Sequence, residues 1–150
     1  MMDGLVLAYA GVKRMNYDDM IRYWFDTDRF VPPVGQGAVA IEVHERLSKE
    51  MREKIKQLTN HALTEKMIRT ERAFLRKMDG GCSIPVFGLA QMETDGQILL
   101  TGGIASLDGR ELIKRTMYGS DPETLGYSLA DEILKSGGKK ILDDIKSALS

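Results

Sequence analysis

The chain contains one cysteine, Cys82, and it stands directly behind Gly80-Gly81. A lone thiol can serve as a nucleophile or carry a covalent thioether, and two glycines ahead of it let the backbone approach a bound group closely. The apolar periodicity puts Cys82 just past a helix C-terminus, whose partial negative charge raises a thiol pKa rather than lowering it. A helix-activated hydrolytic nucleophile is thereby disfavoured. The sulfur needs nearby cations or a strongly electrophilic partner. The competing reading is a small buried hydrophobe. With no CxxC and no resolving cysteine, thiol redox exchange is weak as a function, and no internal disulfide can form.

Arg14 closes Gly11-Val12-Lys13-Arg14, in the turn leaving an apolar run. Turns at the carboxyl ends of parallel strands are where open α/β sheets place ligands, and an arginine there can grip a carboxylate bidentately. A solvated surface arginine is the alternative. Gly35-Gln36-Gly37 has neither GxGxxG spacing nor Gly-Lys-Ser/Thr, so it reads as a hinge or ligand-lining loop rather than a phosphate cradle. His44 and His61 lack partners at metal-ligand spacing, which argues against zinc. Between Glu45 and Lys77 there are ten Lys or Arg against five Asp or Glu. These alternate with apolar helical positions and lack an aromatic platform, so they make a solvated helix face rather than a nucleic-acid surface.

The elements that must hold these residues follow from periodicity. Gly4-Leu5-Val6-Leu7-Ala8-Tyr9 is an unbroken apolar run and predicts a strand buried on both faces, as inside a parallel sheet. Such a strand needs neighbours that the following residues do not offer: Ala10–Met15 and Tyr17–Phe25 read as short helical pieces. Val31-Pro32-Pro33-Val34-Gly35-Gln36-Gly37 is a break, and Ala38–His44 predicts a second strand. From Ser48 the period changes. Met51, Ile55, Leu58 and Ala62, then Leu63, Met67, Phe74 and Met78, predict two helices with a boundary at Thr59-Asn60. Beyond Cys82, Pro85–Met92, Gln97–Ser106 and Arg110–Tyr118 predict three strands. Thr94-Asp95-Gly96 and Asp108-Gly109 separate them with tight-hairpin signals, giving an antiparallel meander. Ser120 three before Glu123 predicts a capping box for a helix lined by Leu125, Leu129 and Ile133. After Gly137-Gly138 a last helix carries Ile141, Ile145 and Leu149.

The bulk numbers set bounds. The chain has 150 residues, 43% hydrophobic and 29% charged, with net charge −1. That is enough for a core, and too neutral for a global field that recruits nucleic acid or an anionic membrane. The apolar runs are too short to span a bilayer. No basic-apolar-small leader opens the chain, so the expected compartment is the cytoplasm.

Three segments resemble one family in order. Leu7-Ala8-Tyr9-Ala10-Gly11-Val12-Lys13-Arg14 resembles the strand and LKR-type turn of porphobilinogen deaminase (hydroxymethylbilane synthase). Pro33-Val34-Gly35-Gln36-Gly37-Ala38-Val39-Ala40-Ile41-Glu42 resembles its PxVGQGAxxIE segment. Thr70-Glu71-Arg72-Ala73-Phe74-Leu75, followed by Gly80-Gly81-Cys82-Ser83-Ile84-Pro85, resembles its ERAFL…GGCxxP signature. Leu125-Gly126-Tyr127-Ser128-Leu129-Ala130 is similar to the family's final domain. The resemblance implies condensation of four porphobilinogen molecules into hydroxymethylbilane with release of ammonia, on the route to haem and other tetrapyrroles. It implies a dipyrromethane cofactor held by a thioether to Cys82. Loss of ammonia from porphobilinogen gives an azafulvene, an electrophile reactive enough for a modestly activated thiol. By position Ala8, Gly11, Val34 and Gln36 match residues lining the cofactor and substrate cleft, and Arg14 matches an arginine that contacts pyrrole carboxylates.

The family enzyme has about twice this length and three domains, and by resemblance this chain begins inside the second. The aspartate that handles the pyrrole nitrogens lies in the half not present, so no catalytic residue is assigned and the chain alone is expected to be silent. A non-catalytic binding module derived from the same fold is the second reading. The expected fold class is α+β: a C-terminal domain over residues 48–150 with a three-stranded antiparallel sheet and helices on one face. Ahead of it come residues 1–33, a remnant of an α/β domain, and residues 34–47, an interdomain crossover strand. Expected partners are porphobilinogen, pyrrole oligomers and the N-terminal half, with no nucleic acid or membrane. The orphan strands predict pairing with a second copy.

Overall fold

Asp-Gly pairs organise the sheet. The computed structural model describes residues 3–81 and 83–149, so Cys82 lies outside the described residues. Strands β1 (Val86–Met92), β2 (Ile98–Ala105) and β3 (Leu112–Gly119) form an antiparallel sheet in the order β1-β2-β3. Gly96 and Gly109 take φ of 84° and 71° at the two turns, a region that favours glycine. The carboxylates ahead of them accept the N–H of Gln97 and of Arg110. Ala90 lies opposite Leu100, and Leu100 opposite Met117. This register puts Val86, Gly88, Ala90, Ile98, Leu100, Gly102 and Ile104 on one buried face.

The described residues form α1 (Tyr9–Arg14), α2 (Lys49–Thr59), α3 (Ala62–Lys77), α4 (Pro122–Ile133) and α5 (Lys139–Leu149), of which α3, α4 and α5 cover that face. Phe74, with Met78 at the end of α3, meets Leu125, Leu129 and Ile133 of α4 and Ile141, Leu142 and Ile145 of α5. A Cβ at Gly126 would lie 2.6 Å from the Thr70 carbonyl oxygen and 2.7 Å from Ala73 Cβ. Only glycine lets α3 and α4 approach this closely. A five-residue π turn, Leu134–Gly138, joins α4 to α5. The expected α+β architecture and its three-stranded meander are therefore present.

Several local expectations shift. The α4 cap is Asp121, not Ser120: its carboxylate accepts the Thr124 N–H. Pro122 decides this, because proline favours the first helical position and makes the residue before it the cap. His61 caps α3, its Nδ1 accepting from Thr64 N, while Asn60 closes α2 and donates to Glu65. Ser48 does cap α2. That helix buries none of its residues, and Met51 and Leu58 are exposed. In α5, Leu149 is likewise exposed.

The larger corrections lie before residue 48. Residues 5–8 form no strand, and Leu5, Val6 and Leu7 are exposed; the chain turns helical at Tyr9. Ala38–His44 forms no strand either, and Val39 is 92% exposed. A strand buried on both faces needs a partner on each side, and among the described residues the β ladders join only β1, β2 and β3. The expected helical piece at 17–25 shrinks to one 3-10 turn, Asp18–Met20. Aromatic rings there pack mainly on each other, as in Tyr9 with Trp24 and Phe25 with Phe30. Residues 27–31 lie over the second face of the sheet, where Lys114 Nζ donates to the Asp28 carbonyl at 2.6 Å. Among the described residues no helix is long and apolar enough to cross a membrane.

Candidate cofactor-anchoring site

The apolar stripe Met67, Phe74, Met78 seats α3 on the sheet, and this fixes where the helix must end. Asp79 takes a left-handed conformation, φ 49°, and Gly80 N donates to Leu75 O at 3.2 Å, which closes the last turn. A Cβ at Gly80 would lie 2.7 Å from Leu75 Cδ1, the end of a flexible side chain that would have to shift to admit it. Gly81 has nothing within 4 Å of such an atom and opens to solvent. The Gly81 carbonyl accepts from Ile84 N at 3.0 Å, and β1 begins two residues later. Cys82 belongs to this connection by sequence. Lys146 of α5 donates to the Asp79 carboxylate and holds it below the usual carboxylate range. The last helix is thereby tied to the turn that leads into the cysteine.

The 32–37 segment is fastened to the same region. Pro32 O accepts from Gly88 N at 3.1 Å, and a Cβ at Gly88 would touch Val34 Cγ2 at 3.3 Å. Gly35 N donates to Glu71 Oε2 at 2.7 Å, while Ala90 N donates to Glu71 Oε1 at 2.9 Å. Glu71 is 4% exposed, and burial pushes its carboxyl up while the two N–H donors pull it back. Val34 is half-buried here and Gln36 is exposed. The backbone N–H groups of Gly88 and Ala90 on the outer edge of β1 are thus both satisfied from outside the sheet.

Ala8, Gly11 and Arg14 follow one another at three-residue spacing along one side of α1, with Ala8 as its cap. All three are exposed, and Arg14 has no ion-pair partner among the described residues. No hydrogen bond or ion pair joins α1 to the 34–37 turn among those residues. The structure therefore seats Val34 and the Gly35 backbone against the middle of α3 and β1, leaves Gln36 exposed in the same turn, and ties Ala8, Gly11 and Arg14 to neither by a hydrogen bond or ion pair among the described residues.

An exposed guanidinium with no ion-pair partner among the described residues can take a carboxylate, but no hydrogen bond or ion pair among them joins Arg14 to the α3–β1 connection. Sequence reasoning passed over Glu71. Its signal was legible, since an acidic residue four after Met67 and three before Phe74 sits on the apolar stripe and must find donors indoors.

Two family models match the chain. Porphobilinogen deaminase, dipyromethane cofactor binding domain, matches residues 1–53, and porphobilinogen deaminase, C-terminal domain, matches residues 66–135. The chain belongs to the porphobilinogen deaminase family. Among relatives that carry the name porphobilinogen deaminase, the protein of Desulfosudis oleivorans is 42% identical over 146 residues, 96% of this chain and 47% of its own length. That of Cytophaga hutchinsonii is 46% identical over 150 residues, 99% of this chain and 48% of its own. That of Carboxydothermus hydrogenoformans is 41% identical over 147 residues, with 97% and 46% covered. The chain spans about half the length of the curated relatives it matches.

Proposed function

We propose that this chain is the cofactor-carrying part of a porphobilinogen deaminase, a transferase of tetrapyrrole biosynthesis that joins four porphobilinogen into hydroxymethylbilane and releases ammonia. Residues 48–150 form the carrier domain in this reading, residues 34–47 cross between domains, and residues 1–33 belong to the cofactor-binding domain. The observation that carries it is the α3–β1 connection, where a glycine packed against Leu75 and Val86 and a glycine open to solvent lead straight to the chain's one cysteine.

Cys82 would hold the group through a thioether: a C–S bond at a pyrrole methylene carbon would replace that carbon's C–N bond, and the thiol proton would leave with the departing ammonia. A covalent C–S anchor keeps a growing oligomer from diffusing between additions. When bound, dipyrromethane supplies the pyrrole carbon on which the oligomer is extended. Arg14 orients a substrate carboxylate by a charge-assisted hydrogen bond. Ala8 and Gly11 keep the side of α1 beside it low, and Val34 and Gln36 line the cleft from the crossover turn. In this reading none of these groups is assigned the proton transfer that ammonia departure requires, so the chain works with the N-terminal half and is silent alone.

Separate expression of both halves tests this. The 150-residue chain by itself should give no product and an intact mass with a free thiol. Mixed with the N-terminal half of a relative it should consume porphobilinogen, and Cys82→Ala should reduce that to background. Turnover by the chain alone, or bilane from the mixed Cys82→Ala protein, overturns the proposal.

A further inference from the structure

The Glu71 carboxylate has no part in the chemistry above, yet it is the buried charge nearest to the segment that chemistry needs. Its two oxygens serve two different segments: Oε2 takes the N–H of Gly35 in the crossover turn, and Oε1 takes the N–H of Ala90 in β1. Ala90 is on the outer edge of the sheet, where a further strand would add its carbonyl oxygens. Glu71 supplies one such oxygen from α3, and Pro32 supplies the other at Gly88.

A merely structural plug for one edge N–H calls for one neutral acceptor. A buried carboxylate without a cationic partner is an expensive way to provide it. What a carboxylate alone offers is two equivalent acceptor oxygens and no donor, so it can bridge two N–H groups on separate segments. Glutamine offers a single carbonyl oxygen and would face one of those N–H groups with its own NH2.

We infer that Glu71 is a positioning residue, a latch that holds the 34–37 turn, and with it Gln36, at a fixed offset from the α3–β1 connection that carries Cys82. This rests on the reading that Val34 and Gln36 line the cleft. Burial raises the carboxyl of Glu71 and the two N–H bonds oppose that, so the charged latch depends on both segments being in place. Gly35 and Gly37 take φ of 76° and 83°, so the turn is a specific backbone shape that a latch can hold in register.

Two measurements test the latch and the role separately. In the 150-residue chain, hydrogen exchange read by NMR should show Gly35 exchanging about tenfold faster or more in Glu71→Gln, with Ile98 and Leu100 of β2 unchanged. Unchanged exchange at Gly35 overturns the latch. In the reunited halves, Glu71→Gln should raise KM for porphobilinogen several-fold more than it lowers kcat. A faster Gly35 with KM and kcat unmoved overturns the positioning role. If Glu71→Gln does not fold, Glu71→Asp takes its place in both arms, since it keeps the charge but cannot span both amides. Wild-type halves without turnover would sink the functional reading and the positioning role with it, while the exchange arm would still report on the latch.

Discussion

Residues 62–149 and residues 3–47 belong to one chain and obey different rules. In the first stretch the core elements find their partners within the stretch itself: β1 pairs with β2, β2 with β3, and α3 and α4 cross at Gly126. In the second, Leu5, Val6, Leu7, Val39 and Ile41 have the composition of buried strands and stay exposed. Apolar, β-branched composition states what a segment would bury, and only neighbours decide whether it does. The packed stretch carries its neighbours within itself. Residues 3–47 would bury their apolar runs only against surface supplied from elsewhere.

The strongest way to break this contrast is to substitute one residue in each stretch. Phe74 is fully buried, with its ring against Gly88 and Gly102. Phe74→Ala should cost about 3–5 kcal/mol in chemical denaturation, enough to unfold much of the population. Val39→Ala, at a site that buries almost nothing, should stay within about 0.5 kcal/mol. Equal losses at the two positions would mean that residues 38–44 are buried in solution.

The exposed stretch should also make the isolated chain self-associate, burying Leu5–Leu7 and the Trp24–Phe30 rings against a second copy. Sedimentation equilibrium should show a dimer that dissociates when the N-terminal half is added. A monodisperse monomer at high concentration would show that the stretch protects itself.

The smallest expected effect is a tilt of stability with pH. The Asp79 carboxyl is held low by Lys146, that of Asp108 by the Ser106 hydroxyl, and that of Asp121 first by the Thr124 side chain and then by its N–H. Their contribution is present above the ordinary carboxylate range and fades as pH falls through the lowered values, weakly because all three are exposed. Glu71 has the opposite sign. Its native pKa is raised, so its contribution is complete below the ordinary value of 4.5 and lost as pH rises through the raised one. Denaturation midpoints measured from pH 7 to pH 3 should lose the Glu71 part of the slope in Glu71→Gln and keep the aspartate part.

What the sequence disclosed follows the same division. The meander was legible because Asp95-Gly96 and Asp108-Gly109 are local signals, and the helices because Leu125, Leu129 and Ile133 repeat along one face. Caps were less so: Ser120 and Asp121 are both acceptors, and Pro122 broke the tie. The motifs around Gln36 and Cys82 gave the family and with it the proposed site. Periodicity alone could not reveal that Glu71 bridges Gly35 to Ala90, because those residues are 55 positions apart and meet only after the sheet edge exists.

The Lys146–Asp79 tie gives this molecule a timetable. Synthesis delivers the α3–β1 turn 67 residues before it delivers the cation that steadies it. A ribosome-bound intermediate can therefore own a finished sheet and an unfinished threshold to its thiol. The turn gains that brace only once the helix carrying the cation has folded back onto it.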